Sequence, residues 1–412
     1  MSKDNIKKFD VIIVGGGASG LFCASVLKTQ NSALSVAVLE KQKSAGKKLL
    51  ATGNGRCNLT NMNVNKDSYH GTFSTSVEEI LNRLSPKELI QKFRSFGMLT
   101  TADSEGRVYP LSRQSSSVLD VLLLACKQNN INIISDTFVK ALTKVETGFI
   151  LNCNDNCYKC KKLVIATGSK ATPETGADDT FWGILKNLGH NIISPIPALC
   201  PVNVKNKHLY NLKGVRATGN VKIMKNNKII KSEFGEIQFT EKTLSGICLF
   251  NLARIANTTD NTYISVDLLP YIDSEEVLNL LHHNKKIRKN NSLAEDLLCG
   301  IFQKKLANTL LLCAGINKER PVNTISSEEL KRLSHIIKDW QFEVVKTCDF
   351  TRAQVVAGGV NGSEINEHTM ESKIIKDMYL IGEVIDCDGD CGGYNLHFAF
   401  ASAYCAAKSI SL

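Results

Sequence analysis

The 412-residue sequence has no long hydrophobic run. No stretch approaches the roughly 18 uncharged apolar residues of a membrane-spanning helix, so we expect no membrane partner. The first residues, Met1 to Ile6, lack the apolar core of a signal peptide, which favours a cytoplasmic protein. Apolar residues at 43% and charged residues at 22% are typical of a globular protein, and the length predicts two or three domains.

Spacings typical of metal sites are also missing, although the chain has 14 cysteines. These cysteines are scattered through predicted strands and helices, which favours reduced thiols over disulfides. Cys153, Cys157 and Cys160 form the tightest group, but no further His or Cys follows closely enough to complete a zinc site. The D-x-D-x-D spacing that starts at Asp386 lacks the Gly and Glu of an EF-hand loop. We therefore predict no bound metal.

The net charge of +10 is a further constraint on the partners. A basic surface attracts nucleic acid or anionic substrates. The sequence has no zinc-finger spacing, no RNP-like aromatic motif and no basic heptad region, so solvated lysine-rich faces are the favoured interpretation. Nucleic-acid binding stays open as the less favoured alternative.

The first forty residues carry one complete dinucleotide-binding pattern. Phe9–Val14 is apolar and rich in β-branched residues, which predicts a buried parallel strand. Residues 15–20 fit G-x-G-x-x-G, and Leu21–Lys28 has helical spacing. Ser35–Glu40 predicts a second buried strand that ends in an acid. The spacing of strand, glycine turn, helix and acid predicts a Rossmann-like nucleotide site.

Each part of this pattern has a physical role. Gly15 permits a tight turn, Gly17 lets a pyrophosphate approach the backbone, and Gly20 lets the helix pack on the strand. The helix N-terminus offers N–H groups and a positive dipole end to the phosphates. The Glu40 carboxylate can accept hydrogen bonds from ribose hydroxyls. The predicted contacts in this unit are Gly15, Gly17, Ala18, Ser19, Gly20 and Glu40.

A second glycine motif of this type is missing. Gly358–Gly362 does not fit G-x-G-x-x-G, whereas flavoenzymes of the disulfide-reductase type carry two such units. The unit also opens almost at the start of the chain, as is common in flavoproteins. We therefore predict FAD as the single resident dinucleotide, with NAD(P)H as a candidate transient electron donor.

The segment ATGNGRCNLTN, residues 51–61, is too rich in Gly and Asn for a convincing helix or strand. Beside a bound FAD it would run along the pyrophosphate toward the flavin. Lysines before it would offset phosphate charge, its glycines would bring backbone N–H groups close, and its asparagines would bind the ribityl chain and the flavin edge. The residues concerned are Lys47, Lys48, Gly53, Asn54, Gly55, Asn58 and Asn61. Cys57 has no partner cysteine within the next sixty residues, so a packed thiol is favoured over a redox-active one.

Several blocks resemble the BaiN/YhiN-like flavoproteins, also grouped as aminoacetone-oxidase-like FAD-binding proteins. The blocks are GKKLLATGNGRCNLTN (46–61), EGRVYPLSRQSSSVLDVL (105–122), LVIATGSKATPETGADDTFWGILKNLGHNI (163–192), GEIQFTEKTLSGICLFNLAR (235–254), AGGVNGSEINEHTMESK (357–373) and YLIGEVIDCDGDCGGYNLHFAFASAYCAA (379–407). The resemblance covers nearly the whole chain. It implies an α/β fold: a Rossmann-like FAD-binding domain of the two-dinucleotide-binding, fumarate-reductase-like type, with inserted β and small helical domains.

The resemblance also implies further cofactor contacts and domain limits. The additional contacts are Lys41, Thr52, Arg56, Cys57, Val139, Ala166, Thr167, Gly168, Gly382, Glu383, Gly393, Asn395 and Leu396. The implied domains are 1–195 plus 349–412 for FAD, 196–265 for the β insertion with 322–348 as a candidate return to it, and 266–321 for the helical insertion. Two departures from the family's pattern are His397, where Gln is usual, and Asp178-Asp179.

The predicted function is that of an FAD-dependent oxidoreductase with hydride transfer through flavin N5. NAD(P)H-linked reduction of an activated double bond in a small molecule is favoured. Amine oxidation and a non-catalytic or RNA-associated flavoprotein are the alternatives. No catalytic residue is assigned, and Tyr109, Tyr394 and His397 are candidate proton donors.

Overall fold

The structure is a computed structural model that describes residues 6–288, 291–345 and 349–411. The chain forms two compact units, Met1–Pro197 with Phe350–Leu412, and Ala198–Asp349. The sequence-based division separates a β insertion from a helical one, whereas the structure groups both segments within the second unit.

The strands, in chain order, are β1 (Lys7–Val14), β2 (Val36–Leu39), β3 (Thr60–Asn61), β4 (Tyr69–His70), β5 (Thr100–Ala102), β6 (Arg107–Pro110), β7 (Asn132–Ile134), β8 (Val139–Val145), β9 (Gly148–Cys153), β10 (Cys157–Ile165), β11 (Ile192–Ala198), β12 (Val202–Lys205), β13 (Arg216–Lys225), β14 (Lys228–Phe239), β15 (Thr243–Ser245), β16 (Thr262–Asp267), β17 (Trp340–Val344), β18 (Val355–Val360), β19 (Met378–Leu380) and β20 (Asp388–Gly389). The helices are α1 (Ala18–Gln30), α2 (Lys47–Ala51), α3 (Val77–Arg83), α4 (Pro86–Ser95), α5 (Ser115–Gln128), α6 (Thr180–Asn187), α7 (Ile247–Thr258), α8 (Ser274–Ile287), α9 (Lys304–Cys313), α10 (Ser327–Lys338) and α11 (Tyr394–Ser411).

The first unit is built on a seven-stranded sheet in the order β7-β2-β1-β10-β9-β8, with β19 also paired to β10. Strands β7, β2, β1, β10 and β19 run parallel, and β8 and β9 form an antiparallel edge. Every residue of β2 and the last four of β1 are buried, which explains their continuously apolar sequence. Parallel strands present their carboxyl ends at one edge, where α/β folds bind ligands.

The predicted β1, β2 and α1 are confirmed, but the last core strand is shorter than the sequence suggested. The sequence predicts the last core strand at 379–384, whereas β19 ends at Leu380 and a 3-10 turn spans Gly382–Val384. Gly382 has φ +69°, which ends the extended conformation, and its N–H donates to Ser402 Oγ at 3.0 Å. The strand ends early because the chain turns here onto α11.

The second unit contains a closed barrel in the order β12-β15-β14-β13-β16-β17. The sequence predicts short strands at 215–217, 221–224, 229–230 and 237–239. The structure instead has two long strands, β13 and β14, joined by a turn at Asn226-Asn227 with positive φ at both residues. Such a turn suits the twist of a hairpin, and Asn tolerates it. Strand β17 closes the barrel from the expected return segment.

The helical part of the second unit differs from expectation at two points. The sequence predicts a helical stretch that begins at 274–276 and continues through 293–312, whereas α8 ends at Ile287 and α9 begins only at Lys304, and Leu293 pairs in a bridge with Pro321. The cap of α8 is Asp273 rather than Ser274, and its carboxylate accepts from the Glu276 N–H at 2.8 Å. Among the described residues, no helix is long and apolar enough to cross a membrane, and no disulfide bond joins the cysteines.

Candidate cofactor-binding cleft

A cleft in the first unit lies at the carboxyl ends of β1, β2 and β10. Its empty space, part of which is open solvent, is about 1390 Å³. The predicted contacts that line it are Gly15, Gly17, Ala18, Ser19, Glu40, Lys41, Lys47, Lys48, Thr52, Val139, Ala166, Thr167, Gly168, Glu383, Asn395 and Leu396. Residues far apart in the sequence therefore meet around one space.

The glycine turn between β1 and α1 has the shape that the motif predicts. Gly15 has φ +107°, and a Cβ on it would lie 2.3 Å from the Ala166 carbonyl oxygen. A Cβ on Gly20 would lie 2.0 Å from the Gly15 oxygen. Gly20 does not line the cleft, because its role is helix packing. A Cβ on Gly17 meets nothing within 4 Å, so this backbone faces open space in the cleft.

Glu40 braces this turn from the end of β2. Its Oε2 accepts from the Gly16 N–H and its Oε1 from the Gln42 N–H, both at 2.8 Å. The carboxylate is 9% exposed and lines the cleft. Each oxygen keeps a further lone pair, so the group can brace the turn and still accept from ribose hydroxyls.

The lysines of the cleft do not all offer free charge. Lys48 Nζ pairs with Glu383 Oε2 at 2.5 Å, and Lys41 pairs with Asp178. Glu383 Oε1 also accepts from the Val356 N–H at 3.1 Å. Lys48 was predicted to offset phosphate charge, but its own charge is matched by Glu383. Lys47 donates to the neutral Gln42 side chain at 2.8 Å, so its positive charge remains available at the cleft.

The segment 51–61 owes its unusual composition to its backbone. Gly53, Asn54, Gly55 and Cys57 all have positive φ, between +53° and +79°. Glycine adopts this region freely and Asn tolerates it better than most residues, which explains the repeated small polar residues. Thr52 lines the cleft. The other predicted contacts of this segment, Gly53, Asn54, Gly55, Arg56, Cys57 and Asn58, are not among the cleft-lining residues.

Cys57 is a packed thiol. It is fully buried, and burial raises its pKa to about 12. At neutral pH the thiol is therefore protonated and unsuited to nucleophilic redox chemistry. Its φ of +55° is unusual for a residue other than Gly or Asn and costs on the order of 1–3 kcal/mol.

The C-terminal helix begins at the opposite wall of the cleft. Gly393, with φ +102°, packs against Thr60, and its carbonyl accepts from the His397 N–H at 3.0 Å. The Asn395 amide donates to and accepts from the Gly389 backbone at 2.8 Å each, so it also fixes the loop before the helix. Leu396 completes this wall, whereas Gly382 and Gly393 do not line the cleft.

The three candidate proton donors lie outside the cleft lining. His397 is fully buried, its Nδ1 lies 2.8 Å from Thr60 Oγ1, and burial lowers its pKa to about 4. It is therefore neutral at pH 7 and cannot donate a proton as an imidazolium. Burial raises the pKa of both Tyr109 and Tyr394, so both phenols are protonated. No proton donor is assigned.

The buried His397 should make stability depend on pH. Its folded pKa of about 4 lies below the unfolded value of 6.5, so stability is full above pH 6.5 and falls toward pH 4 as the unfolded state takes up the proton. Between pH 7 and pH 4.5 this group should lower the free energy of unfolding by roughly 2 kcal/mol. We expect His397→Gln to lose that part of the pH dependence in chemical denaturation. An unchanged pH dependence in the variant would contradict the assignment.

Several cleft residues were missed by sequence reasoning. They are Val14, Leu39, Gln42, Ser44, Gly46, Leu49, Thr137, Phe138, Ser169, Thr175, Gly176, Ala177, Asp178, Thr180, Phe181, Gln354, Val355, Cys387, Phe398 and Ala399. Ser169 directly follows the predicted Ala-Thr-Gly turn, so proximity to that turn is a usable signal. Gln354 and Val355 carry no motif, and only the packing of β18 brings them to the cleft.

The residues present fit FAD. The turn at Gly15 and the open face at Gly17 leave room for a pyrophosphate at the N-terminus of α1. Thr167 Oγ1, on the cleft wall, and Asn58 Oδ1 are buried and have no hydrogen-bond partner among the described residues. Buried polar atoms are normally satisfied, so these two atoms indicate a missing polar partner.

Comparison with known proteins agrees with this geometry. The HI0933-like protein Rossmann domain family matches residues 9–409. The chain belongs to this family. A 3-dehydro-bile acid delta(4,6)-reductase of Clostridium scindens is 31% identical over 404 residues, which cover 96% of this chain and 98% of that protein. Ribosomal RNA dihydrouridine synthases of Haemophilus influenzae and Escherichia coli are 29% and 28% identical, over 97% and 98% of this chain and 98% of each of those proteins.

Solved structures show the same fold at low identity. FrdA of Escherichia coli quinol fumarate reductase has a TM-score of 0.51 at 14% identity, covering 99% of this chain and 70% of that chain. A 3-ketosteroid delta1-dehydrogenase of Sterolibacterium denitrificans has a TM-score of 0.50 at 12% identity, covering 98% of this chain and 99% of that chain. The family member described here is an FAD-dependent oxidoreductase with a Rossmann-like α/β fold, which confirms the predicted family, fold class and enzyme class.

Proposed function

We propose that this HI0933-like protein reduces a carbon–carbon double bond conjugated to a carbonyl group, with NAD(P)H as the electron donor. The observation that carries the proposal is the cleft, because its glycine turn, the bracing Glu40 carboxylate and the unpaired Thr167 Oγ1 fit one resident FAD. Two kinds of relatives support the choice of substrate bond. One is named a 3-dehydro-bile acid delta(4,6)-reductase and the other a ribosomal RNA dihydrouridine synthase, and both names fit reduction of a double bond.

The residues of the chain have separate tasks in this reaction. Bound FAD supplies hydride transfer through N5. Gly15, Gly17 and the N–H groups at the start of α1 would hold the pyrophosphate, and Glu40 would accept from the ribose. The first turn of α11, at Leu396, would present its N–H groups and its positive dipole end to the flavin pyrimidine edge. Positive charge there favours the reduced, anionic form.

The test is an anaerobic half-reaction experiment. The purified protein is reduced with NADH or with NADPH, and the loss of flavin absorbance is followed. A conjugated ketone such as a 3-keto-4-ene steroid is then added without oxygen, as is a uridine-containing RNA in a parallel sample. We expect one nucleotide to bleach the flavin and one of the two acceptors to restore it. Bleaching by a primary amine, with recovery only in oxygen, would instead establish an amine oxidase and contradict the proposal.

A uracil base in RNA is a second candidate substrate. Its C5–C6 double bond is conjugated to the C4 carbonyl, so the same chemistry applies. The net charge of +10 favours a polyanionic substrate over a neutral steroid. The acceptor that restores the flavin in the experiment above decides between the two.

A further inference from the structure

The second unit has a polar groove of its own. Its lining contains two lysines, three asparagines and a threonine, and no carboxylate. The lining residues are Asn211, Lys305, Asn308, Thr309, Leu312, Gly315, Ile316, Asn317 and Lys318. A groove without carboxylates, bordered by lysines, is complementary to an anionic ligand.

The groove is built by α9 and a turn on the other side. The 3-10 turn Leu209–Leu212 packs against α9, and Gln303, just before the helix, donates to the Arg216 carbonyl at 2.9 Å. Tyr210 on this turn is 74% exposed, next to the lining residue Asn211. The ring is not part of the groove lining, so its exposed apolar face can contact only a ligand that extends beyond the groove.

Charge is concentrated around the same turn. Residues 201–216, which include this turn, contain four lysine or arginine residues and no acidic one. Lys207, from this stretch, lies close enough to α9 to affect Cys313 at the end of that helix. Burial raises the pKa of the Cys313 thiol to about 11, and the positive charge of Lys207 opposes that rise. Within the described ranges, Lys207, Lys305 and Lys318 form no ion pair. These three charges are therefore uncompensated.

One polar atom in the groove is also unmatched. Asn308 lines the groove from α9, and its Oδ1 is buried without a hydrogen-bond partner among the described residues. An unpaired buried carbonyl can accept from an N–H group of a ligand. Nucleobases carry such N–H groups on their edges, in addition to the phosphates that lysines bind.

We propose that this groove binds single-stranded RNA. Backbone phosphates lie against Lys207, Lys305 and Lys318, and one base stacks on the Tyr210 ring. Asn308 faces a base edge. The choice of RNA as the anionic ligand rests on the proposed function, in which a uracil base in RNA is the second candidate substrate. The groove itself is inferred from its charge, its concave shape and the exposed Tyr210 ring.

The test uses fluorescence anisotropy with a labelled single-stranded oligouridine and the full-length, FAD-loaded protein. The triple variant Lys207→Gln, Lys305→Gln, Lys318→Gln should bind at least tenfold more weakly, with a shallower salt dependence. The matched control is Lys222→Gln, Lys225→Gln, Lys228→Gln, which removes the same charge on and beside the β13–β14 turn and should change affinity less than threefold. Equal weakening by both triples, or no binding by the unmodified protein, would overturn the proposal.

The proposed stacking of a base on Tyr210 is tested by a substitution at Tyr210 and a control substitution at another exposed tyrosine. Tyr210→Ala should weaken RNA binding at least fivefold, because stacking of a base on an aromatic ring is lost. Tyr271, which is 84% exposed and contacts Phe234, is the control, and Tyr271→Ala should have no effect. Reoxidation of the reduced protein by a conjugated ketone tests the proposed reductase function independently of the RNA-binding groove. If RNA binding fails while the ketone still restores the flavin, the groove proposal is wrong and the proposed function stands.

Discussion

Gly17→Val is expected to yield a folded protein that purifies without flavin. A Cβ at this position meets no protein atom within 4 Å, and the backbone is extended (φ −83°, ψ −168°), so valine is tolerated by the fold. The added side chain enters the cleft where the pyrophosphate approaches the backbone. Loss of charge-assisted hydrogen bonds at the N-terminus of α1 should weaken FAD binding by at least about 100-fold, or about 2.8 kcal/mol.

The measurement for Gly17→Val is a titration of the apoprotein with FAD, followed by quenching of flavin fluorescence. Gly183→Val is the matched control. Its Cβ likewise meets nothing within 4 Å, but it lies on α6 and is not a lining residue. Gly20→Ala, in contrast, should destabilise the fold itself, because the added Cβ would lie 2.0 Å from the Gly15 carbonyl oxygen. Unchanged FAD affinity in Gly17→Val would contradict the placement of the pyrophosphate.

Glu40→Ala should weaken FAD binding and loosen the glycine turn together. The carboxylate accepts from the Gly16 and Gln42 N–H groups, and alanine leaves both without this acceptor. Hydrogen bonds to a charged acceptor are worth about 1.5–3 kcal/mol each. We expect the FAD dissociation constant to rise about 10- to 100-fold and the free energy of unfolding of the apoprotein to fall by about 3–6 kcal/mol, the sum of the two bonds.

The matched control for Glu40 is the amide. Glu40→Gln keeps one acceptor oxygen and the side-chain volume, so it should retain part of both effects. Calorimetric titration gives the affinity, and urea denaturation of the apoprotein gives the stability. If Glu40→Ala binds FAD as tightly as the unmodified protein does, the carboxylate does not hold the ribose.

The sequence was sufficient for those parts of the site that are local. The unit from β1 to Glu40 was predictable, because strand, turn, helix and acid follow one another within about thirty residues and each has a distinct composition. The Ala166–Gly168 turn and the N-terminus of α11 were identified through the family's blocks, and both reach the cleft. The composition of 51–61 was noticed, but its cause, four residues with positive φ, needed the backbone.

The other parts of the fold and of the site depend on contacts between residues that are distant in the sequence. The Lys48–Glu383 pair joins positions 335 residues apart, so no local pattern could show that the lysine charge is matched. Hydrophobic periodicity showed β13 and β14 as fragments, because their outward faces are polar and irregular along much of their length. The closure of the barrel by β17 and the arrival of Gln354 at the cleft are likewise products of tertiary packing.

The most direct test of the central claim is the absorbance spectrum of the purified protein, with mass spectrometry of any cofactor released on denaturation. We expect flavin bands near roughly 375 and 450 nm and a released molecule with the mass of FAD. A colourless protein that also takes up no added FAD would contradict that claim.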